Sequence, residues 1–329
     1  MSENLPPAQR KNMLAGQKRV AVVLPYFGQL PTTWPLTLAS MEQNSEIDWL
    51  IFTDQEVKSS AANIRVSMTT LEDTRDRFSK SLELAVALET PYKLCDFKPA
   101  YGELYLDELA PYDYWGYCDA DVVFGDVQAH VVAALETADF KIFRRGHLSL
   151  IPNNEAGRSS FRLGVVGADD YRAVFSDPNS RAFDEVGGMY QRLKAHGLDV
   201  YEDEALFDIG ADKFRLKANS ALSGERFYVL EGGQLSALDS NGRWVRSGRY
   251  IHLQKRAYRR LPPGWDSAPV LGFSPDGVVA CRSVKDACDA ICARESNWSA
   301  RIAWQRRYIN RRFRGLKSRL TAPSPKHNL

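Results

Sequence analysis

In the stretch WGYCDADVVFGD, residues 115–126, three carboxylates interrupt a run that is otherwise apolar and aromatic. A carboxylate turned toward a protein interior costs several kcal/mol unless positive charge meets it. Asp119 and Asp121 are two residues apart, so an extended backbone projects both to the same side, where they can grip one object. Hard carboxylate oxygens suit Mg²⁺ or Mn²⁺, which are commonly held by one or two carboxylates with substrate phosphates completing the shell. This is the only Asp-x-Asp of the chain, and it stands at the end of an expected core strand. The competing reading is an acidic loop that caps a helix or pairs with a lysine.

Other segments carry chemistry of the same kind. In YKLCDFKPAYGELYLDEL, residues 92–109, Asp96 followed three residues later by Pro99 reads as a helix N-cap with proline in the first turn. Lys93 and Lys98 stand beside that N-terminus, where N–H groups and the helix dipole already favour an anion such as a nucleotide phosphate. In YIHLQKR, residues 250–256, His252 offers an imidazole for a metal, and Lys255 and Arg256 offer cations for a diphosphate. Asp184 and Glu185 open a further helical stretch, and YEDE leads to Asp208; these are capping residues or, where a reaction needs one, candidates for a general base.

These residues need a frame. RVAVVLPYFG (19–28) and IDWLIFTD (47–54) are continuous apolar runs of buried-strand type, and NIRVSM adds a third around Ile64 and Val66. Helical patterning falls around Trp34, Leu36, Leu38 and Met41, at 71–88, at 96–109, at 127–138, at 169–175 and at 183–196. The alternation predicts an α/β domain with a mostly parallel sheet flanked by helices, with ligands beyond the carboxyl ends of the strands. YFG, FTD and CDAD fall at those ends and are expected to converge on one crevice. Gly232-Gly233 and Asn241-Gly242 mark hairpin turns between β-rich runs further on.

Composition is ordinary for a globular chain of 329 residues, 44% hydrophobic and 26% charged, and a net charge of +2 points to no particular partner. Five cysteines without zinc-finger spacing read as reduced thiols, hence a cytoplasmic protein. The N-terminus has no apolar core of signal-peptide length, and nowhere do about 18 apolar residues run together. The expected organisation is a flexible tail at 1–17, a catalytic domain at 18–262, an accessory segment at 263–296 and a basic helical tail at 297–329. The arginines and aromatic residues of that tail suit an anionic membrane surface, or packing of its aromatic stripe on the catalytic domain.

Taken in order, YFG, IDWLIFTD, YKLCDFKPAYG, WGYCDADVVFGD, FDE and YIHLQKR resemble a group of bacterial glycosyltransferase-type proteins of GT-A fold linked to cell-surface polysaccharide synthesis, over residues 20–256. The resemblance implies a metal-dependent transfer of a sugar from a nucleotide-sugar donor, a UDP- or GDP-sugar, to a glycan or lipid-linked glycan acceptor. It implies that Tyr26, Phe27 and Gly28 line the nucleotide pocket with Thr53 and Asp54 near the base, and that Asp96 and Lys98 lie near ribose or phosphates. It further implies that Asp119 faces ribose or metal-bound water, Asp121 and His252 ligate Mn²⁺ or Mg²⁺, and Lys255 meets the diphosphate. Asp184, Glu185 and Asp208 are the candidate bases of an inverting reaction. No nucleic-acid partner is implied, and a cytoplasmic location, with contact to the inner face of the plasma membrane through the tail, goes with the reading. The rival enzyme is a nucleotidyltransferase, which calls for a Gly-rich phosphate loop with a nearby cation where PYFGQLPTTWP has one glycine and none. The rival of another class is a non-catalytic carbohydrate- or nucleic-acid-binding protein.

Overall fold

A computed structural model of the chain describes residues 18–137, 140–202, 204–210, 214–219, 221–254, 256, 258, 260–299, 301–306 and 309. The expected tail at 1–17, Lys255 and most of the basic segment after 306 lie outside the described residues. The chain divides into two compact units. The first takes the described residues up to Leu206 together with Gly248–His252, and the second takes Phe207–Ser247 and those from Leu253 onward. The division thus falls after Leu206, with Gly248–His252 returning to the first unit, whereas the sequence reading places its boundaries after 17, 262 and 296.

The first unit holds β1 (Val20–Tyr26), β2 (Ile47–Thr53), β3 (Ile64–Met68), β4 (Tyr114–Cys118), β5 (Val122–Phe124), β6 (Lys141–Ile142), β7 (Leu148–Pro152) and β8 (Val200–Tyr201). Seven of these form one sheet in the order β3-β2-β1-β4-β7-β6-β8. Pairing is parallel from β3 to β4 and between β6 and β8, and antiparallel on both sides of β7. The sheet is therefore mostly parallel, within a mixed α/β structure.

Burial explains why β1 and β2 read as unbroken apolar runs. Ala21 and Val23 join a cluster with Phe78, Phe97, Tyr101 and Phe175, while Val20, Val22 and Leu24 join one with Trp34, Leu38, Met41 and Trp49. Alternate residues of one strand thus face two different cores, and the one carboxylate within these two strands, Asp48 of β2, is buried with Tyr112 and Arg65 donating to it.

Helices stand close to their expected places at α1 (Trp34–Gln43), Val127–Thr137 and Tyr171–Ser176, whereas α2 (Leu71–Leu82), capped by Thr70, is closed by Glu83 at φ 49° and stops short of the expected 88. The stretch 96–109 differs. It is a chain of short turns, Leu94–Phe97, Lys98–Ala100, Tyr101–Leu104 and Leu106–Leu109, since Pro99 supplies no N–H to a continuous ladder. Asp96 is no N-cap, for helical backbone begins ahead of it at Leu94.

The second unit contains β9 (Phe207–Asp208), β10 (Phe227–Glu231), β11 (Gln234–Leu238) and β12 (Trp244–Gly248). The next strand, β13 (Tyr250–His252), belongs to the first unit, after which β14 (Val270–Ser274) and β15 (Gly277–Cys281) return to the second. Its five-stranded sheet runs β12-β11-β10-β14-β15. Gly232 and Gly233, at φ 56° and 80°, make the β10–β11 turn, since both central positions need positive φ. The helix Val284–Ser296 closes a small core of Phe227, Val229, Val270, Val279, Cys288 and Ile291. All five cysteines are free thiols, and among the described residues no helix is long and apolar enough to cross a membrane.

One face of α1 reaches the acidic segment. Thr37 and Ser40 of α1 and its C-cap Asn44, spaced three and four apart, form a buried polar stripe. Thr37 Oγ1 donates to the Ala120 carbonyl at 3.4 Å, Ser40 Oγ accepts from Phe124 N at 3.0 Å, and Asn44 takes both Gly125 O and Val127 N at 2.9 Å. Asp126 caps the helix Val127–Thr137 through Ala129 N. The segment between β4 and that helix is thus held by side chains of α1 where no strand partner takes its backbone. Replacing Asn44 with alanine removes both bonds and leaves Gly125 O and Val127 N only the 3.0 Å bond they make with each other, with an expected cost of about 1–3 kcal/mol in chemical denaturation. An unchanged midpoint would show that water replaces the amide.

Candidate functional site

Two antiparallel pairings assemble the site. In the first, β4 pairs with β7 in the register Cys118↔Leu148, so the residues just beyond, Asp119 and His147, stand side by side, with Asp119 N donating to His147 O at 3.2 Å. In the second, β13 pairs with β5 in the register His252↔Val122, which sets His252 next to Asp121. The two imidazoles meet with ring centroids 3.8 Å apart. His252 Nε2 lies 3.4 Å from Asp121 Oδ1 and 3.8 Å from Asp119 Oδ2. Ligating atoms of Asp119, His147 and His252 all fall within 4.8 Å of one another. A metal ion with bonds of about 2.0–2.2 Å spans such a group after closure by a few tenths of an ångström, and two imidazoles with a carboxylate are a competent donor set.

Lys98 closes the far side. Its ammonium, almost fully buried, donates to Asp119 Oδ1 at 2.6 Å, Asp184 Oδ2 at 2.7 Å and the Gly146 carbonyl at 3.1 Å. Burial alone would lower its pKa, yet Asp119 and Asp184 outweigh that and hold it well above the ordinary lysine value. The two carboxylates part company. Burial pushes Asp119 up, but Lys98 and then His252 bring it below the usual carboxylate range. Asp184 is pushed up to about 6, chiefly by burial, with the charges of Asp119 and Glu185 adding to it against the pull of Lys98. One ammonium therefore stabilises one carboxylate charge well and the second poorly.

A glycine is required at 146. A Cβ there would stand 2.5 Å from Asp184 Oδ2, in the space the carboxylate uses to reach Lys98. Asp184 is delivered by a second buried node. Asp96, fully buried, accepts from Lys93 Nζ at 2.8 Å and from the backbone N–H groups of Arg181 and Phe183, both at 2.9 Å, and Lys93 also donates to Val174 O and Asn179 O. Asp96 and Lys93, both buried, therefore fix the approach to Asp184. Lys98 likewise serves two carboxylates where a ribose or phosphate contact was expected.

At the mouth of β1 and β2, Gly28 N donates to Asp54 Oδ1 at 2.9 Å, joining the YFG and FTD ends. Asp54 lies below its usual range, first through the Gln55 amide and, against a small burial effect, through Gly28 N. Tyr26 is half-buried, and its hydroxyl pKa is raised by burial and then by the charge of Asp121. YFG, FTD and CDAD do come together. Phe27 and Thr53, however, are buried, Phe27 in the core beside Phe52 and Thr53 with its Oγ1 accepting from Gln55 N. Glu185 is half-buried beside Asp184. Asp208 belongs to the second unit, where Asn219 and Gln254 donate to its carboxylate at 2.8 and 2.7 Å. There too Arg256 donates to the carbonyls of Gly210 and Pro275, so its guanidinium is not held out for a diphosphate. Lys255 lies outside the described residues.

His147 is the residue that sequence reasoning missed. The only local signal is a histidine opening the alternating HLSLIP strand, and its meaning appears only once that strand is paired with β4.

Residues 22–263 match the family described as a family of unknown function, DUF6625. No curated protein matches the chain. Among solved structures, one described as a mycobacterial protein is 16% identical, covers 60% of this chain and 70% of its own, and has a TM-score of 0.31, a likeness too distant to bear on fold or function.

Lys98→Met leaves the buried Asp184 and the half-buried Asp119 without their cation and is expected to cost about 3–5 kcal/mol, measured by denaturant unfolding; a loss near zero would mean that water or a proton replaces the ammonium. Asp184 titrates near 6 in the fold against 3.8 unperturbed, so the folded state binds the extra proton between these values. Its contribution to stability therefore falls as pH rises from about 4 to 6. Asp184→Asn should remove that fall, and a pH–stability profile identical to wild type would refute the assignment.

Proposed function

This chain belongs to the DUF6625 family, whose function is unknown, and we propose that it is a metal-dependent glycosyltransferase of the GT-A type, moving a sugar from a nucleotide-sugar donor to a glycan acceptor in cell-surface polysaccharide synthesis. The observation that carries this reading is the Asp119–Asp121 pair at the carboxyl end of β4, met by His252 at 3.4 Å from Asp121 and by His147. Sheet order β3-β2-β1-β4, with YFG and FTD at the same strand ends, supports the same architecture, since open α/β sheets take ligands there. Free thiols at all five cysteines suit the cytoplasmic location that the reading carries.

The chemistry follows from charge. Cleavage of the bond between sugar and diphosphate leaves negative charge on the leaving group, and a divalent ion held by Asp119, Asp121, His147 and His252 would act as a Lewis acid there. The chain's own residues prepare the place. Asp119 and Asp121 supply oxygen donors from a segment fixed by α1, and Lys98 keeps Asp119 ionised in spite of burial. Gly28 and Asp54 tie the β1 and β2 ends into one rim, and the Tyr26 hydroxyl, which donates to Gln29 O, feels the charge of Asp121. Asp184 is committed to Lys98 and Asp208 to Asn219 and Gln254. In an inverting reaction Glu185 is thus the carboxylate that takes the acceptor proton.

A panel of nucleotide sugars, incubated with the full chain with and without Mn²⁺, should show metal-dependent release of nucleoside diphosphate. Asp119→Ala and Asp121→Ala should each lower it by roughly 10²–10³-fold, with unfolding still cooperative. If turnover is absent with every donor, and nucleoside diphosphates raise the melting temperature equally in EDTA and Mn²⁺, the glycosyltransferase reading fails.

A further inference from the structure

The basic segment after Asn297 has two uses open to it, packing on its own domain or lying on a membrane, and its described part divides them between two sides of one helix. Backbone at 298–299, 301–306 and 309 is helical, with Arg301 N donating to Asn297 O at 3.1 Å at its start. At 3.6 residues per turn Trp298, Ile302, Gln305 and Ile309 share one side, while Ala303 and Trp304 fall on the other. The side of Trp304 is the one that packs: Ala303 and Trp304 are half-buried, and the indole meets the Phe214 ring with centroids 5.8 Å apart. The side of Trp298 faces water. Trp298 is 69% and Ile309 49% exposed, with Ile302 half-buried between them. Arg301 and Arg306, both exposed, flank this side. The aromatic residues of the segment thus do not act as one stripe, since Trp304 is spent on the second unit and Trp298 is left in solvent. In the sequence Phe313, Leu316 and Leu320 continue the spacing of Trp298, Ile302 and Ile309, and from 301 to 319 run seven arginines and one lysine, with no acidic residue after Glu295.

We propose that the side of this helix carrying Trp298, Ile302 and Ile309 seats the chain on an anionic lipid bilayer, lying in the interface without crossing it. An apolar side flanked by arginines is the pattern of an interfacial helix: the apolar side sinks to the boundary between headgroups and acyl chains, and the guanidinium groups meet lipid phosphates. Tryptophan favours that depth, where its ring is in hydrocarbon and its N–H in water. A nucleic acid would take the arginines but leave the aliphatic Ile302 and Ile309 in water. Crossing is not in question, since among the described residues no helix is long and apolar enough to span a membrane. Trp304, packed on Phe214, ties the helix to the second unit, so a seated helix brings its domain with it. The proposal does not depend on the sugar-transfer reading.

The test follows the full chain in flotation with vesicles of phosphatidylcholine alone and of phosphatidylcholine mixed with phosphatidylglycerol. Flotation with the mixed vesicles only is expected, and salt at about 1 M, where the Debye length falls to about 3 Å, should release most of the chain. Trp298→Ser combined with Ile309→Ser should lower the vesicle partition constant by at least about tenfold. Arg301→Gln and Arg306→Gln should lower it by roughly fivefold each. All four side chains are exposed, so these variants should keep the wild-type denaturant midpoint. Absence of flotation with the mixed vesicles would overturn the proposal without any variant having to fold. Equal flotation with both kinds of vesicle would remove the anionic requirement, and unchanged flotation of the Trp298/Ile309 double variant would remove this side of the helix, either result overturning it as well. Two further outcomes would reassign the segment: binding of mixed-sequence RNA without vesicle binding, which makes it a nucleic-acid contact, and a dimer that Trp298→Ser dissolves, again without vesicle binding, which makes it a contact between copies of the chain.

Discussion

A buried ammonium placed between two carboxylates governs the geometry of the first unit's site. Lys98 carries its charge into an interior where it would be untenable alone, and it is tolerated because Asp119, Asp184 and the Gly146 carbonyl surround it. Those partners come from three separate stretches of chain, so the lysine fixes their mutual positions. Two carboxylates facing one cation leave an excess of negative charge, and this adds to burial, the larger cause, in pushing the Asp184 pKa up to about 6. The arrangement has little slack: a single methyl group at 146 would collide with the Asp184 carboxylate.

Support for this group comes from polar side chains in places where apolar ones usually sit. On α1 the stripe Thr37, Ser40 and Asn44 takes up backbone groups of the segment 120–127, which no strand pairs throughout. Asp96 does the same for Arg181 and Phe183, just ahead of Asp184. Each is a buried hydrogen-bonding group with its partners supplied, so the acidic segment and the approach to Asp184 are fixed in one conformation and not merely covered.

Much of the frame was legible in the sequence because it depends on local pattern. The runs at 19–28 and 47–54, dominated by apolar residues, became β1 and β2, and Gly232-Gly233 became a hairpin turn because few other residues accept positive φ twice in succession. Asp119, Asp121 and His252 stood out by residue type and position. What the sequence hid is what long-range pairing decides. His147 acquires its neighbour only through the antiparallel register of β7 with β4. Asp96 looked like a helix N-cap and Lys93 and Lys98 like cations beside an anion site, whereas burial turned all three into mutual or carboxylate partners. Phe27 and Thr53, expected at a pocket wall, lie inside because the strand end still belongs to the core.

The path of the chain to His252 has a consequence for how the protein comes to be made. The strand Tyr250–His252 belongs to the first unit, but Phe207–Ser247, part of the second, is threaded ahead of it. During synthesis the polypeptide emerges N-terminus first, so the parallel strands β1 to β4 can be out and pairing while β5 still has no partner from β13. The first unit therefore waits for residues beyond 250 before its last strand closes, and that contact, far separated in sequence, belongs to the slow class of folding events. A nascent chain interrupted before residue 250 would carry both aspartates and His147 but have no means of completing the group around them.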